Sequence, residues 1–365
     1  MPAVDLGPET TSPRVVLCSS DPFGLPALEA LAARGWLAGL VTQPDRPRGR
    51  GRQPEPLPAK IRAQELNIPI FNPEKISAPK ALGDLAALVP DYLVIAAYAQ
   101  YLPKAVRQIP QVACLNIHPS VLPKYRGPSP VVAALWHGDT ETGVAIHYTE
   151  KGIDTGDILA LERVAIEPGT TGGALRDRLA DLGAGLLLRT IEELEAGTAS
   201  AAPQDHSRAT LTRLLSSADR ELDFSLPATE LAHRILALSP EPGALVEVQG
   251  SPLRLLHVLS LMASDYKKLD PAARPGAIAC PGKGRLAVRC GEGWLELLEV
   301  QPAGKKPMGV ADWLNGLRDR IPEMLLSRPG DPRPLAVPIT EAHLLAAPAS
   351  PAPAGLRLDH GGGHG

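Results

Sequence analysis

The sequence is poor in the features that mark several specialised protein classes. Aromatic residues make up only 4% of its 365 residues, and the formal net charge is −3. A charge this close to zero provides no bulk attraction to nucleic acid or membranes, so any such partner must bind at a local patch. No apolar run approaches the roughly 20 residues of a membrane-spanning helix. The length instead favours two globular domains with buried cores.

Cysteine is also scarce, and its spacing excludes the common metal and redox motifs. The chain has four cysteines, and no two of them form a Cys-x-x-Cys pair. Cys18 and Cys114 lie inside apolar, strand-like runs, which predicts buried or free thiols in a reducing compartment. The N-terminal stretch MPAVDLGPETTSPR is polar and carries acidic residues, unlike a signal peptide. We therefore expect a cytoplasmic protein.

Short apolar runs alternate with helical patterns through the first half of the chain. This alternation predicts an α/β domain in which helices cover a mostly parallel sheet. The helical patterns lie at residues 25–35, 80–89 and 173–197. The strand-like runs lie at residues 14–18, 36–42, 68–72, 91–98, 113–117 and 143–148.

The second half of the chain changes character. Small and polar residues come first, and then short strand-like runs alternate with Gly and Pro turns, which predicts a small β-barrel preceded by a helix at residues 229–238. The end of the chain is rich in Pro, Ala and Gly and predicts disorder. We therefore divide the chain into an extension at 1–12, an α/β domain at 13–197, a linker at 198–218, a barrel at 219–325 and a disordered tail at 326–365.

The stretch LNIHPSVLPKYRGPSP, residues 115–130, combines polar chemistry with a rigid loop. Asn116 and His118 are two positions apart in a predicted strand, so their side chains point to the same face. They lie at the strand's C-terminal end, which is the edge where open α/β sheets bind ligands. A lone histidine at such a place is more often a core residue. The asparagine on the same face and the proline-stiffened loop favour a functional role.

A second candidate segment is ETGVAIHYTEKGIDTGDIL, residues 141–159. For Asp157 a simple capping role in a tight turn explains the residue well. For Asp154 we favour a functional role, because a carboxylate beside an imidazole fixes its tautomer and raises its pKa. Asn, His and Asp together suit acyl transfer without a metal: the amide binds a developing oxyanion, the imidazole moves a proton and the carboxylate orients the imidazole.

Several alternatives lack their signatures. There is no Gly-x-Ser-x-Gly and no cysteine beside His118, so direct attack by the acceptor is favoured over a covalent acyl-enzyme. His137 and His147 lack the spacing of zinc ligands, and we expect no metal. A dinucleotide-binding site is also disfavoured. The first strand is followed by SSDPFG in place of a Gly-rich turn, and residues 49–54 lack the third glycine of the dinucleotide fingerprint.

The motifs NIHPSVLPKYRG, TGVAIHY and GIDTGDIL resemble the folate-dependent formyltransferase superfamily, and most closely the methionyl-tRNA formyltransferase family. The resemblance covers about residues 13–325. TQPDRPRGRGRQPEPLPAK at 42–60 is similar to that family's basic insertion loop, AAYAQYLPKAV at 96–106 to its pterin-side loop, and VQPAGKKPM at 300–308 to a motif of its C-terminal barrel.

The resemblance implies a Rossmann-like N-terminal domain and an OB-like C-terminal barrel that binds tRNA. It implies formyl transfer from 10-formyltetrahydrofolate to the methionine amine of initiator methionyl-tRNA, in a protein that we expect to be a monomer. It also assigns residues. Catalysis falls on Asn116, His118 and Asp154; folate binding on Ser120, Val121, Leu122, Pro123, Tyr98 and Gly152; and tRNA binding on Arg46, Arg48, Arg50, Arg52, Lys305 and Lys306.

Other interpretations stay open. A sugar-nucleotide N-formyltransferase would share the catalytic residues without needing the arginine loop, as would a hydrolase that uses water as acceptor. A non-catalytic RNA-binding or folate-binding relative would not need an oriented imidazole. The arginine loop could be a solvated mobile segment, and the lysine pair an exposed basic turn. Departures from the family pattern occur at Ser19, Ser20, Asp21, Ala145, Lys151, Leu236, Leu238 and Glu241.

Overall fold

The computed structural model describes residues 12–47, 54–261, 269–317, 322–326 and 333–339. Helices and strands alternate through the first half of the chain, as the apolar runs predict. In chain order they are β1 (Val15–Cys18), α1 (Leu25–Ala33), β2 (Leu37–Val41), β3 (Arg46–Pro47), β4 (Pro54–Glu55), α2 (Pro58–Glu65), β5 (Ile70–Phe71), α3 (Pro79–Ala86), β6 (Tyr92–Ile95), α4 (Lys104–Arg107), β7 (Ala113–His118), α5 (Pro130–Trp136), β8 (Glu141–Tyr148), β9 (Ile158–Ala165) and α6 (Gly172–Glu195).

Within the described residues a sheet of seven strands runs in the order β5-β2-β1-β6-β7-β8-β9. The first five strands are parallel, whereas β8 pairs antiparallel with β7 and with β9. The strand order reverses between β1 and β6, and ligands of open α/β sheets bind at such a switch point, beyond the carboxyl ends of the strands. The predicted α/β fold with a mostly parallel sheet is confirmed.

Both faces of this sheet are covered, which explains why its parallel strands have continuous apolar sequences. On one face α1 and α6 pack over a core that includes Leu17, Leu115 and Leu187. On the other face a smaller core contains Cys18, Leu93 and neighbouring residues. Burial on both sides fixes the strands rigidly and thereby fixes the residues at their carboxyl ends.

The second half of the chain forms an antiparallel sheet in the order β11-β12-β15-β14-β13, with β16 paired to β15. Alternate residues of β11 are buried, the pattern of a sheet with one face on a core. The predicted C-terminal β-barrel domain is confirmed, in the form of an antiparallel half-barrel. Its elements are α7 (Ala228–Leu238), β11 (Ala244–Val248), β12 (Ser251–Leu261), β13 (Ile278–Ala279), β14 (Leu286–Arg289), β15 (Trp294–Pro302), β16 (Met308–Gly309) and α8 (Val310–Leu317).

The segment between the two halves is more structured than a simple linker. It contains β10 (Thr210–Thr212), which pairs antiparallel with β17 (Ala336–Pro338). Residues 333–339 belong to the range predicted as a disordered tail. The pairing with β10 orders these residues instead, and residues 340–365 lie outside the described residues.

Where the structure describes the chain, none of its helices combines the length and apolar character required to cross a membrane. The two halves meet where α5 packs against α7. Val132 and Trp136 of α5 contact the core of the second half, and the guanidinium of Arg234 lies 4.9 Å from the Trp136 ring centroid.

Candidate active site

Asn116 and His118 lie at the carboxyl end of β7, as predicted. Asn116 is paired with His147 of β8, and His118 with Ala145. The loop that joins β8 to β9 carries Asp154, whose φ of 49° is in the left-handed region that Asp tolerates better than most residues. The loop thereby turns its carboxylate towards the end of β7, and the three predicted catalytic residues come together.

Asp154 is the centre of this cluster. Its Oδ1 accepts a hydrogen bond from Asn116 Nδ2 at 3.0 Å, and its Oδ2 accepts one from the Gly127 amide at 2.7 Å. His118 Nδ1 lies 3.5 Å from Oδ2, and His147 Nε2 lies 3.5 Å from Oδ1. Two buried imidazoles, an amide and a backbone N–H therefore surround one carboxylate.

Gly127 adopts a backbone conformation that would be strained for any other residue. Its φ is +95°, and a Cβ there would lie 2.9 Å from the carbonyl oxygen of Thr212. Glycine therefore allows the backbone to approach both the carboxylate of Asp154 and the strand that contains Thr212.

The hydrogen bonds of His118 define its tautomer. Its Nε2 lies 2.9 Å from the carbonyl oxygen of Tyr125, which can only accept, so Nε2 carries the hydrogen. In the neutral ring the lone pair is then on Nδ1, which faces Asp154. At 3.5 Å this nitrogen is beyond a hydrogen bond with the carboxylate, and it is able to accept a proton from another group.

The amide of Asn116 is fully engaged by protein acceptors. Asn116 Nδ2 donates one of its two hydrogens to Asp154 Oδ1, and the other hydrogen faces His147 Nε2, with a distance of 3.1 Å between the two nitrogens. His147 Nδ1 lies 2.8 Å from the Tyr148 carbonyl oxygen, so it carries the ring hydrogen and leaves Nε2 as an acceptor. Asn116 can donate to an oxyanion only by exchanging one of these two bonds.

Burial and charge act in opposite directions on the two titratable groups. Burial lowers the pKa of His118 below its ordinary value, and the attraction of Asp154 offsets this only in part. Asp154 thus acts on the pKa of His118 in the direction that the sequence predicts, but burial has the larger effect and the net shift is downwards. Burial alone would raise the pKa of Asp154, but His118, His147 and the Gly127 amide hold it well below its usual range. The site therefore holds a carboxylate beside a neutral imidazole at neutral pH.

The predicted folate-binding residues lie after β6, in the loop that follows β7 and in the loop that carries Asp154. The Ser120 hydroxyl donates to the Lys124 carbonyl oxygen at 2.7 Å, and the side chain of Leu122 is buried. Val121 and Pro123, on either side of Leu122, are partly exposed, and so is Tyr98, which follows β6. Gly152 lies two residues before Asp154, and a Cβ added to Gly152 would lie only 2.5 Å from Thr155 Oγ1.

A cavity of about 750 Å³ lies beside Lys151, the residue that precedes Gly152. The buried hydroxyl of Tyr98 has no hydrogen-bond partner among the described residues, whereas the hydroxyl of Thr149 is paired with the Cys114 thiol. The walls include Tyr101, Pro103, Lys104, Arg107, Cys114, Tyr148, Thr149 and Lys151.

Comparison with known proteins assigns the family. The Formyl transferase model matches residues 15–191, and the Formyl transferase, C-terminal domain, model matches residues 214–318. A methionyl-tRNA formyltransferase of Roseiflexus castenholzii is 43% identical over 84% of this chain and 96% of its own length. The same-named protein of Xanthomonas axonopodis pv. citri is 39% identical over 84% of this chain and 98% of its own length.

The chain belongs to the methionyl-tRNA formyltransferase family. The predicted family is thereby confirmed. Among solved structures, HypX from Aquifex aeolicus in complex with tetrahydrofolic acid has a TM-score of 0.59 at 16% identity, over 85% of this chain and 48% of that one. WlaRD, a sugar 3N-formyl transferase, has a TM-score of 0.57 at 14% identity, over 81% of this chain and 100% of its own. At such low identity these structures support the fold alone.

The structure describes only part of the set of residues that the family resemblance assigns to tRNA binding. Arg48, Arg50 and Arg52 fall outside the described residues, and for Arg46 only the backbone is described, in β3. Lys305 and Lys306 are exposed in the turn between β15 and β16 of the half-barrel.

The departures from the family pattern are accommodated without touching the cluster's hydrogen bonds. Asp21 accepts from the Phe23 amide at 2.9 Å, and Lys151 is exposed at the cavity. Leu236 and Leu238 are buried on α7, and Glu241 lies 3.0 Å from Arg254.

Sequence reasoning missed three residues of the site: His147, Arg126 and Gln204. The signal for His147 was available, because pairing β7 with β8 places it opposite Asn116. No comparable signal marked Gln204, which lies in the segment interpreted as a linker and reaches the site only through the tertiary fold.

Proposed function

We propose that this protein transfers the formyl group of 10-formyltetrahydrofolate to the α-amine of methionine on initiator methionyl-tRNA, for translation initiation in the cytoplasm. The observation that carries the proposal is the buried cluster in which Asn116 and His118 meet the carboxylate of Asp154. The acceptor is supported by the relatives named methionyl-tRNA formyltransferase, which this chain matches over more than four fifths of its length.

The geometry supports direct attack without an acyl-enzyme. The methionyl nitrogen attacks the formyl carbon, a tetrahedral intermediate forms, and the bond from that carbon to N10 of the folate breaks. His118 Nδ1 takes the proton that the amine loses, and the carboxylate of Asp154 stabilises the resulting imidazolium. His118 then returns a proton towards N10 as this nitrogen leaves.

Asn116 has a second task that requires a change of partner. The developing oxyanion needs an N–H donor, and the weaker of the amide's two bonds is the 3.1 Å contact with His147. We propose that the formyl oxygen replaces His147 as acceptor while the bond to Asp154 keeps the amide in place. Such a donor typically contributes about 10²–10³ to kcat.

We propose that the folate binds against the residues that the family resemblance assigns to it, which are Ser120, Val121, Leu122, Pro123, Tyr98 and Gly152. Holding two large substrates in line contributes to the rate enhancement by reducing the entropy cost of their encounter.

For tRNA, the proposed contacts are the arginines of the loop at 46–52 and the lysines at 305 and 306. Each would neutralise a backbone phosphate and release counterions, which makes binding depend strongly on salt. We propose no metal, because amide, imidazole and carboxylate suffice for the proton transfers of this reaction.

The test compares acceptors directly. Purified protein and 10-formyltetrahydrofolate are incubated with methionyl-tRNA or with a 4-amino-sugar nucleotide, and formylated product is measured over time. We expect formylation of the tRNA, lost in His118→Ala while folate still binds. Formylation of the sugar nucleotide alone would overturn the acceptor and leave the chemistry, and near-normal turnover of His118→Ala would overturn the mechanism.

A further inference from the structure

Gln204 lies between the two halves of the chain, yet its side chain is 7% exposed and fully hydrogen-bonded. Its Nε2 donates to the carbonyl oxygens of Asp154 at 2.9 Å and Gly156 at 2.7 Å. Its Oε1 accepts from Nε and Nη2 of Arg126, at 3.1 and 2.7 Å. An amide has two N–H hydrogens and one oxygen with two lone pairs, so these four bonds use its whole capacity.

Arg126 connects this amide to the other side of the carboxylate. It is completely buried, and the residue after it is Gly127, whose N–H donates to Asp154 Oδ2 at 2.7 Å. Arg126 also donates from Nη2 to His206 Nδ1 at 2.9 Å. Gln204 therefore joins two loops: one that carries the backbone of Asp154, and one that binds its carboxylate.

The loop of Asp154 needs such a support. Asp154 has a positive φ and lies between Gly152 and Gly156, so its backbone has little conformational restraint of its own. The distance from His118 Nδ1 to the carboxylate is already 3.5 Å, and any outward movement of the loop would lengthen it. Misplacement of a catalytic group by about 1 Å can cost on the order of 10² in rate.

We propose that Gln204, supported by Arg126, is a positioning residue that holds the carboxylate of Asp154 opposite His118. This inference rests on the proposed formyl transfer, because it concerns the geometry of that reaction. Gln204 touches the main chain of Asp154 and acts on substrate only through it.

The experiment uses two full-length variants. Gln204→Met keeps the side-chain length and removes all four hydrogen bonds, whereas Gln204→Glu keeps an acceptor for Arg126 and removes the two N–H donors. We expect both to lower kcat by about 10- to 100-fold, with KM for methionyl-tRNA within threefold of wild type. Without substrates, hydrogen exchange of the Gly127 amide and of residues 152–157 should be at least tenfold faster.

The matched control is Ser207→Ala, in the same segment, where the side chain bonds only Asp205 among the described residues. It should leave kcat and the exchange rates unchanged. If both Gln204 variants keep wild-type kcat and exchange, the positioning role is wrong. If wild type itself fails to formylate methionyl-tRNA, the proposed function is wrong, and the exchange data still decide whether Gln204 holds the loop.

A second inference rests on a different observation, the pairing of β17 with β10. The Arg213 amide donates to the Leu335 carbonyl oxygen and the Ile339 amide to that of Ala209, each at 3.1 Å, at the two ends of this ladder. Leu335 is 2% exposed and packs with Tyr125, Ala133 and Ala134. This segment lies beyond residue 318, where the C-terminal family domain ends.

β10, the strand that pairs with β17, also forms hydrogen bonds with the loop that contains Tyr125 and Arg126. The Arg126 amide donates to the Thr210 carbonyl oxygen at 2.9 Å, and the Thr212 amide donates to that of Arg126 at 2.8 Å. Tyr125, whose carbonyl fixes the His118 tautomer, donates its amide hydrogen to Thr210 Oγ1 at 2.8 Å. We also infer that residues 333–339 act as a strap that clamps β10 against the loop of Tyr125 and Arg126.

The strap is tested in the full chain with Val337→Pro, which removes a ladder donor, and Leu335→Asp, which removes the apolar contact. We expect at least tenfold faster exchange of the Arg126 and Thr212 amides and a three- to tenfold lower kcat in both variants. Val337→Thr, which preserves the strand, is the control and should behave as wild type. Unchanged exchange in both disruptive variants would overturn the strap.

Discussion

The cluster around Asp154 and the lysine turn of the half-barrel use charge in opposite ways. At Asp154 the carboxylate accepts hydrogen bonds from Asn116 and the Gly127 amide, and its side chain is 15% exposed. Lys305 and Lys306 are exposed, and among the described residues neither forms an ion pair. Proton transfer requires groups held at fixed distances in a water-poor site, whereas phosphate recognition works with hydrated cations that meet their partner only when RNA binds.

The difference has an energetic consequence. A buried carboxylate is tolerated only because several hydrogen bonds compensate for its lost hydration, so removing it disturbs every partner. An exposed lysine has few partners to disturb. Variants of the first region should therefore affect kcat strongly, and variants of the second should affect tRNA affinity modestly.

The largest effect is expected for Asp154→Asn. The amide keeps the shape of the carboxylate but not its charge, so the imidazolium of His118 is no longer stabilised, and kcat should fall by about 10³. Steady-state formyl transfer to methionyl-tRNA measures this. Asp157→Asn, three residues further along, is the control and should stay within threefold of wild type; a fall of less than tenfold in Asp154→Asn would contradict the role of the carboxylate.

A smaller loss is expected for Asn116→Ala, about 10² in kcat, because the oxyanion then lacks one donor. The KM for folate should change little, since the residues assigned to folate binding stay in place. Rates measured beside Gln111→Ala, an exposed substitution before β7, give the baseline. If kcat and the affinity for folate fell equally, Asn116 would act in folate binding instead of in stabilising the oxyanion.

Acid should reduce both activity and stability. Burial lowers the pKa of His118 below its ordinary value of 6.5, against the opposing effect of Asp154, so any loss of kcat through protonation of this base should occur in more acidic solution. The unfolded chain binds a proton at His118 more readily, so folding stability falls as pH drops through 6.5 towards the folded pKa. Asp154, with its pKa held below 3.8, adds a further loss below that pH.

This prediction is checked by pH profiles of single-turnover rate and of Tm. His147 and Arg126 also face His118 and oppose its protonation. A Tm that rises as the pH falls through 6.5 would show that Asp154 outweighs burial in setting the pKa of His118.

The smallest effect is expected for the double variant Lys305→Ala, Lys306→Ala. The affinity for tRNA should fall several-fold, and the slope of log K against log salt should decrease by about 1 for each lost phosphate contact. Lys80→Ala on α3 is the control. A salt slope that does not change would leave these lysines as an exposed basic turn.

The sequence predicted the parts of this structure that local pattern encodes. Apolar runs located the parallel strands, and the two-residue spacing of Asn116 and His118 placed both on one face. The positions of Asp154 and the glycines around it indicated a functional loop. These inferences work because strand periodicity and turn chemistry act over a few residues.

Other features depend on contacts between distant parts of the chain. Gln204 bonds residues 50 and 78 positions away, and nothing in its own neighbourhood indicates either partner. Likewise, the pairing of β10 with β17 joins two short segments whose composition alone predicts a linker and a disordered tail. The pKa of His118 depends on burial, which a strand pattern does not quantify.

The central proposal is that the Asp154 cluster carries the chemistry and that Lys305 and Lys306 contribute to RNA binding, and one measurement tests it directly. Single-turnover formyl transfer is recorded against methionyl-tRNA concentration at several salt concentrations, for Asp154→Asn and for the lysine double variant. We predict that the first loses its saturating rate with an unchanged salt slope, and the second keeps its saturating rate with a reduced slope. A wild-type saturating rate in Asp154→Asn, or a large loss of that rate in the lysine variant, would contradict the account.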